Sequence, residues 1–229
     1  HEFRNALATI HGLARLIVKA NGNGGREAST QREHAGTILR EVEGIERVVT
    51  DFLRYARPVT LNLSEVDLQD LVDNLAREAR EEAAPAGVAI EVRGTFPGFV
   101  ADEALVRQAI RNLLLNAIEA FPPSGPAASA RAASRRIIVH GEPQTDPQGG
   151  VRLVVEDNGL GIAKENLPRI FTPFFTTKER GTGLGLALVQ KTAVVHDGQV
   201  EVLSDPGRGT AFALILPARP GAPPSVPPL

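Results

Sequence analysis

The sequence predicts an α+β protein built from a helical hairpin, which forms a dimeric four-helix bundle, followed by an α/β sandwich. Two patterns predict it. Apolar residues recur at alternating spacings of four and three as far as residue 56, the seam of packed helices. Beyond residue 61, strand-like and helix-like segments are interleaved, and some strands are direct neighbours. We therefore predict a hairpin at residues 1–57, a mixed sheet covered by helices on one face at 58–217, and a disordered proline-rich tail at 218–229.

Composition excludes several classes of protein. The net charge of −2 provides no general basic field for nucleic acid or an anionic membrane. The absence of cysteine excludes disulfides, thiolate metal sites and thiol chemistry. No signal peptide or membrane-spanning apolar run is visible, so we expect this segment to be cytoplasmic. Because methionine is absent as well, we expect a fragment whose sensing or anchoring parts lie upstream.

The chain begins with two predicted helices, each of which carries an apolar seam at heptad spacing. Glycines in "NGNGGREAST" separate them, and Pro58 ends the second. A lone hairpin has too little core, whereas two paired hairpins bury both seams, so we expect a homodimer. The seams consist of Phe3, Leu7, Ile10, Ala14 and Ile17 in the first helix, and Ile38, Val42, Ile45, Val49, Phe52 and Ala56 in the second.

The second part alternates between two periodicities. Strands are predicted at "LNLSEVDL", "VAIEVRG", "RIIVHGE", "VRLVVED", "QVEVLS" and "TAFALILP". Helices are predicted at "QDLVDNLAREAREEAAP", "ADEALVRQAIRNLLLNAIEAF" and "GLGLALVQKTAVV". The stretch 122–136, "PPSGPAASARAASRR", has the composition of a loop.

Two glycine motifs indicate a ligand site. Asp157 follows an apolar strand and precedes Gly159 and Gly161, which allow the backbone to approach a ligand closely. A buried aspartate can accept a hydrogen bond from an exocyclic amine such as that of adenine; an ordinary Asp-Asn-Gly turn is the alternative. In "GTGLGLALV", glycines precede a helix whose first amides can bind phosphate, but the stretch lacks the ending of a P-loop.

Two further patterns are ambiguous by themselves. Asn112 and Asn116 lie four apart on one helix face, where two amide oxygens suit a hydrated Mg²⁺, although surface asparagines are common. Phe171, Phe174 and Phe175 are concentrated in "FTPFFTTK" and are expected to pack in the core while holding a segment over a site. Lys178, which follows them, is either a phosphate contact or a solvated lysine.

Taken in order, these motifs resemble the nucleotide-binding domain of sensor histidine kinases of two-component systems, a fold of the gyrase/Hsp90/histidine-kinase type. Paired asparagines, Asp-x-Gly-x-Gly, the phenylalanines, Gly-x-Gly-x-Gly and "GRGTAFALILP" follow one another within residues 112–217. "HEFRNALATIHG" is similar to the histidine motif of the phosphoacceptor domain in that family. The segment "TTKERGTGLGLALV" resembles the nitrogen-regulation subtype most.

The resemblance implies an ATP-dependent protein histidine kinase that passes its phosphoryl group to an aspartate on a response regulator and also removes it. His1 would be the phosphoacceptor, and a free imidazole with a pKa of about 6.5 is largely neutral and nucleophilic at neutral pH. Glu2 would accept the other ring N–H of His1. Asn5 would orient water for dephosphorylation of the partner.

The resemblance also implies ATP and Mg²⁺ as cofactors. Asp157 would recognise adenine with support from Thr210 through water, and Asn116, more surely than Asn112, would hold the metal. The implied nucleotide site consists of Asn112, Asn116, Asp157, Gly159, Gly161, Lys178, Gly181, Thr182, Gly183, Leu184, Gly185 and Thr210.

Two features depart from the family pattern. Ala6 stands where proline is usual, so any mechanism that needs a bent helix there is in doubt. His1 is the first residue, and because first helical turns fray, we expect it to be poorly placed in this chain. We expect the histidines at positions 11, 34, 140 and 196 to be structural or surface residues.

Two other classes of function remain. An ATPase clamp or a serine kinase would keep the nucleotide fold, but such proteins lack a hairpin with a His-Glu pair. ATP-hydrolysing relatives tend to carry glutamate where Asn112 stands, since an amide cannot act as a general base. The remaining alternative is a dimeric scaffold that binds nucleotide, or a regulator that is mainly a phosphatase.

Overall fold

The computed structural model describes residues 59–121, 135–145, 149–178 and 181–221, together with Ile10 and part of the stretch 36–56. Every described residue between 36 and 56 is helical, as predicted for the second helix of the hairpin. Ile10 is also helical, but the remainder of the predicted first helix and the glycine-rich turn lie outside the described residues.

The chain divides into two compact units. One comprises His1–Arg57 with Thr176–Leu184, and the other comprises Pro58–Phe175 with Gly185–Leu229. The second unit holds all the strands of the described chain. Among the described residues, no helix is both long enough and apolar enough to span a membrane.

A mixed sheet of five strands forms the centre of the second unit. Its order is β2-β4-β5-β7-β6, with β2 and β4 parallel and the other neighbours antiparallel. A separate antiparallel pair joins β1 to β3. The strands are β1 (Ser64–Val66), β2 (Ala89–Gly94), β3 (Phe99–Ala101), β4 (Arg136–Pro143), β5 (Val151–Asp157), β6 (Gln199–Asp205) and β7 (Gly209–Leu216).

Within the described residues, three α-helices cover one face of the sheet. They are α1 (Leu68–Ala83), α2 (Glu103–Ile118) and α3 (Gly185–Val195), with single 3₁₀ turns at Ala84–Ala86 and Leu167–Arg169. The sheet side chains that pack with these helices alternate along their strands, as expected when one face is buried. They include Ile137, Val139, Leu153, Val155, Phe212 and Leu214. The predicted α/β sandwich is confirmed.

Carboxylates define where α1 and α2 begin. Asp67 accepts a hydrogen bond from the backbone N–H of Asp70, and Asp102 accepts one from Leu105 at 3.2 Å. Such N-caps satisfy amides that have no partner within the helix. The second oxygen of Asp102 accepts from the backbone N–H of Asn62, 40 residues earlier, at 3.0 Å.

His196 is a structural residue, as predicted. It is fully buried after α3, where its Nε2 accepts from the backbone N–H of Asp102 at 3.0 Å. Its Nδ1 lies 2.8 Å from the carbonyl oxygen of Thr192. The carbonyl can only accept, so the ring carries its proton on Nδ1. The neutral ring therefore joins the end of α3 to the start of α2.

Two predictions are corrected by the structure. Strand β3 was missed, because three residues are too few to show an alternating pattern. Residues 218–221 were assigned to a disordered tail, but they are hydrogen-bonded to the domain. The Ala218 carbonyl accepts from Val100 at 2.9 Å, and Gly221 donates to the Asp197 carboxylate at 2.6 Å. The rest of the tail and residues 122–134 of the predicted loop lie outside the described residues.

Candidate functional site

Asp157 ends β5 with its side chain in the protein interior. Its side chain is only 5% exposed, and its Oδ1 accepts from the backbone N–H of Gly159 at 2.8 Å. An ionised carboxylate has about four acceptor positions, so this bond orients the group without exhausting it. The strand register places Ile137 of β4 and Thr210 of β7 on either side of it. The central strands thus position a buried acceptor at one end of the sheet.

The loop after Asp157 is fixed on two sides. Leu160 donates to the Ala120 carbonyl at 3.0 Å, and the Leu160 carbonyl accepts from Gly207 at 2.7 Å. A Cβ on Gly159 would lie 2.7 Å from the Ala120 oxygen, which is far inside normal contact. Gly161 has a φ of +70°, a left-handed conformation that favours glycine. Both glycines are therefore required by the backbone path.

A cluster of hydroxyl groups supports this loop from β6 and β7. The Ser204 hydroxyl accepts from the backbone N–H of Ile162 at 2.8 Å and donates to the Gly209 carbonyl at 3.0 Å. Because its hydrogen is used there, the buried Thr210 hydroxyl, 3.0 Å away, donates to Ser204 and keeps its lone pairs as acceptors. Sequence reasoning missed Ser204, whose partners are distant in the chain.

Asn112 and Asn116 follow one another by one turn on α2, and both are half-buried. The Nδ2 group of Asn112 donates to the carbonyl of Gly185, the first residue of α3, at 3.1 Å. Its Oδ1 accepts from the Nε2 of Gln108 at 3.1 Å. Sequence reasoning also missed Gln108, which resembles an ordinary polar helix residue.

The donor set of α2 suits a weakly held, hydrated cation. Within the described part of the chain, no three His, Cys, Asp or Glu side chains are grouped as metal ligands. Neutral amide oxygens such as those of Asn112 and Asn116 are hard donors, and Mg²⁺ commonly keeps several waters and takes phosphate oxygens as further ligands. The two asparagines fit such an ion only in company with a phosphate-bearing ligand.

The glycine motif at residues 181–185 leads directly into α3. Gly183 has a φ of +66°, and the N–H of Gly181 donates to the Lys178 carbonyl at 3.2 Å. The Thr182 hydroxyl accepts from the N–H of Leu184 at 3.3 Å. Residues 176–184 group with the hairpin, whereas Gly185 belongs to the sheet domain.

The three phenylalanines divide into two kinds. Phe171 packs edge-on against Phe212 with ring centroids 6.3 Å apart, and the Arg169 guanidinium lies 4.4 Å from the centroid of Phe175. These two rings pack against the core as predicted. Phe174 does not, since its side chain is 54% exposed. Its φ of +65° is unusual for a bulky residue, and this backbone conformation turns the ring outward.

His1, Glu2 and Asn5 lie outside the described residues, so their roles stay predictions.

Two family models match the chain. Residues 101–220 match the model "Histidine kinase-, DNA gyrase B-, and HSP90-like ATPase". Residues 1–60 match the model "His Kinase A (phospho-acceptor) domain". The first match contains every predicted nucleotide-site residue, and the second contains His1, Glu2 and Asn5.

Curated relatives agree with these matches over almost the whole chain. The sensor histidine kinase ZraS of Escherichia coli (strain K12) is 34% identical over 219 residues, which is 95% of this chain and 43% of that protein. The signal transduction histidine-protein kinase AtoS of the same strain is 32% identical over 222 residues, covering 96% of this chain and 34% of AtoS. The chain thus spans less than half the length of these relatives.

Solved structures share the fold. Full-length ShkA in complex with AMPPNP is 28% identical, with a TM-score of 0.76 over 98% of this chain and 46% of that one. The histidine kinase ThkA, solved in complex with the response regulator protein TrrA, has a TM-score of 0.65 at 24% identity, over 96% of this chain and 60% of ThkA.

Proposed function

This chain belongs to the sensor histidine kinases, and on that premise we propose that it transfers the γ-phosphoryl group of ATP to His1. The phosphoryl group then passes to an aspartate of a response regulator. The observation that carries the proposal is the buried Asp157 carboxylate followed by a loop whose backbone path requires glycine at positions 159 and 161. A buried acceptor of this kind suits the exocyclic amine of adenine. The glycines beside it allow the backbone to come close to such a ligand.

The adenine end of the site would use acceptors that the strands hold in place. Asp157 would accept from the amine, and the Thr210 hydroxyl would offer its lone pairs to a water beside it. The loop of Gly159 and Gly161 would form the pocket wall. A ligand with a hydrogen-bond donor at this place is favoured, because carboxylate oxygens can only accept hydrogen bonds.

The phosphate end would use the glycine motif and the amide side chains of α2. Asn116, and to a lesser degree Asn112, would hold Mg²⁺, which when bound would offset the charge of the phosphates. The residues proposed to line the phosphates are Lys178, Gly181, Thr182, Gly183, Leu184 and Gly185. The first amides of a helix have no partner within the helix and can bind phosphate, and this favours the assignment.

The chemical step would be an in-line displacement at the γ-phosphorus. A lone pair of a His1 ring nitrogen forms the N–P bond, while the bond between phosphorus and the bridging oxygen breaks and ADP leaves with that electron pair. Glu2 takes the proton from the other ring nitrogen, which keeps the phosphorylated ring from accumulating positive charge. Asn5 would orient water when the partner is dephosphorylated, a second activity that we propose from the family pattern.

We propose a homodimer through the hairpin. Three predicted seam residues in the described part of the second helix, Ile38, Ile45 and Phe52, are 45–46% exposed in the single chain. Exposed apolar residues at heptad spacing are stabilised when a second copy covers them. The match to the phospho-acceptor model, residues 1–60, supports the same interface.

The receiver domain of a response regulator is the proposed partner, since ThkA, which shares this fold, was solved with the response regulator protein TrrA. ATP and receiver domains share the cytoplasm, so we propose that location for this segment. The nitrogen-regulation subtype remains a prediction from "TTKERGTGLGLALV".

The test is radiolabelling of a protein that includes residues preceding His1, with ATP labelled at the γ-phosphorus and Mg²⁺. The control is the same protein with His1→Gln. Label that is acid-labile, alkali-stable and absent from the variant is the expected result. Label that persists in the variant would assign the acceptor to another residue. If nucleotide binds but no label appears, the chain acts instead as a nucleotide-binding scaffold or as a regulator dominated by phosphatase activity.

A further inference from the structure

A short chain of hydrogen bonds connects α2 to the first residue of α3. Gln108 donates to the Oδ1 of Asn112 at 3.1 Å, and the Nδ2 of Asn112 donates to the Gly185 carbonyl at 3.1 Å. The two side chains are half-buried and lie one turn apart on α2. None of the roles assigned so far uses Gln108.

The Gly185 carbonyl determines which group donates in each of these two hydrogen bonds. The Gly185 carbonyl can only accept, so Asn112 must turn its NH₂ group towards it. The Oδ1 of Asn112 then faces Gln108, which must offer its own NH₂ group. If the side chain at position 108 could only accept, Asn112 would gain by reversing its amide, and two oxygens would oppose each other at Gly185.

The position of Gly185 makes this orientation relevant to nucleotide binding. Gly185 is the first residue of α3 and follows residues 181–184 directly in the chain. Amide groups at such a helix start are donors to phosphate oxygens. Asn112 thus holds the helix start by a hydrogen bond to its first residue.

We infer that Gln108 is a positioning residue of the phosphate site, which orients Asn112 so that its amide holds the first turn of α3 in place. This role rests on the proposed function, because it concerns the site that would bind the phosphates of ATP. It also gives Asn112 a task that does not depend on a metal ion. The adenine end, built from Asp157 and its loop, does not use this chain of bonds.

The test compares two ligands in the 229-residue chain carrying Gln108→Glu. Glutamate has nearly the shape of glutamine, but its carboxylate cannot donate to Asn112. Adenosine and ADP, the latter without added metal, are titrated by calorimetry. We expect ADP to bind about tenfold more weakly, as expected for one misdirected, partly buried hydrogen bond, and adenosine to bind as it does to the unaltered chain.

Two further variants separate orientation from charge and from folding. Ala104→Glu places the same charge on the exposed surface one turn earlier on α2 and should leave ADP affinity unchanged. Gln108→Met removes the donor without adding a charge, and it should lower ADP affinity less than Gln108→Glu because Asn112 is no longer forced to reverse. A general loss of folding would weaken adenosine and ADP alike.

The outcomes distinguish this inference from the proposed function. If the unaltered chain binds ADP and Gln108→Glu binds it equally well, Gln108 has no positioning role. An equal loss of adenosine and ADP affinity, or an equal loss of ADP affinity in Ala104→Glu, also overturns the inference. If the unaltered chain binds neither ligand, the proposed nucleotide site itself is wrong.

Discussion

Replacing Gly159 by alanine tests how tightly the wall of the candidate adenine pocket is packed. The added Cβ would lie 2.7 Å from the Ala120 carbonyl oxygen, 2.8 Å from the Ala120 Cβ and 2.9 Å from the Asp157 Oδ1. Two of these neighbours are held firmly. Ala120 accepts from Leu160, and Asp157 accepts from Gly159 itself. The clash can therefore be relieved only by moving the loop or the carboxylate.

The size of the effect follows from this geometry. One extra methyl group in a closely packed region typically destabilises a protein by about 1–3 kcal/mol. In a chain of this size, each kcal/mol lowers the melting temperature by about 2–4 °C. We expect Gly159→Ala to lower the melting temperature by about 2–12 °C. We also expect it to weaken adenosine binding at least tenfold, because the carboxylate that would accept from the adenine amine is displaced.

The assay combines thermal unfolding with calorimetric titration of adenosine. Gly87→Ala is the matched control, since Gly87 has a φ of +64° but no atom within 4 Å of an added Cβ. Backbone strain should lower the free energy of unfolding of that variant by about 1 kcal/mol, and the variant should bind adenosine normally. A Gly159→Ala protein that melts and binds like the unaltered chain would refute the steric argument, and with it the rigid pocket wall.

Three further predictions test other contacts. Asp157→Asn should weaken adenosine binding about tenfold or more with little change in melting temperature, because Asn retains an oxygen for Gly159 but loses an acceptor; calorimetry showing unchanged affinity would remove Asp157 from the site. Ser204→Ala should cost about 1–3 kcal/mol of unfolding free energy, as the Ile162 amide loses its partner; denaturant titration should show a loss well above that of an exposed serine. His196→Ala should cost about 3–5 kcal/mol, whereas His140→Ala, with a half-exposed ring, should cost less than about 0.5 kcal/mol; similar losses in the two would contradict the structural role of His196.

Local chemistry explains why much of the candidate site was predictable. Asp157 stands at the end of an apolar strand, and Gly161, four residues on, is the residue type that a left-handed φ favours. Asn112 and Asn116 share a helix face because of their spacing, whatever packs against them. Such features depend only on residues that are close together in the sequence, so they can be predicted without the tertiary structure.

Residues that act across long chain separations were not predictable. Ser204 supports Ile162 from 42 residues away, and Gln108 orients an amide that reaches Gly185, 73 residues beyond Asn112. Neither residue type is distinctive in its local pattern. Phe174 was wrongly predicted to be buried. Its aromatic side chain favours the core, but its backbone conformation turns the ring outward.

By itself, the sequence determined the helical seam, the alternating strands, the order of the motifs and the family to which they point, because periodicity and turn chemistry act over a few residues. Only the tertiary structure decided which side chains meet. It paired β1 with the unpredicted β3, placed Thr210 beside Asp157, and set the Asn112 amide on the first turn of α3. The physical reason is that strand register and helix packing depend on the whole core, whose contacts join residues far apart in the chain.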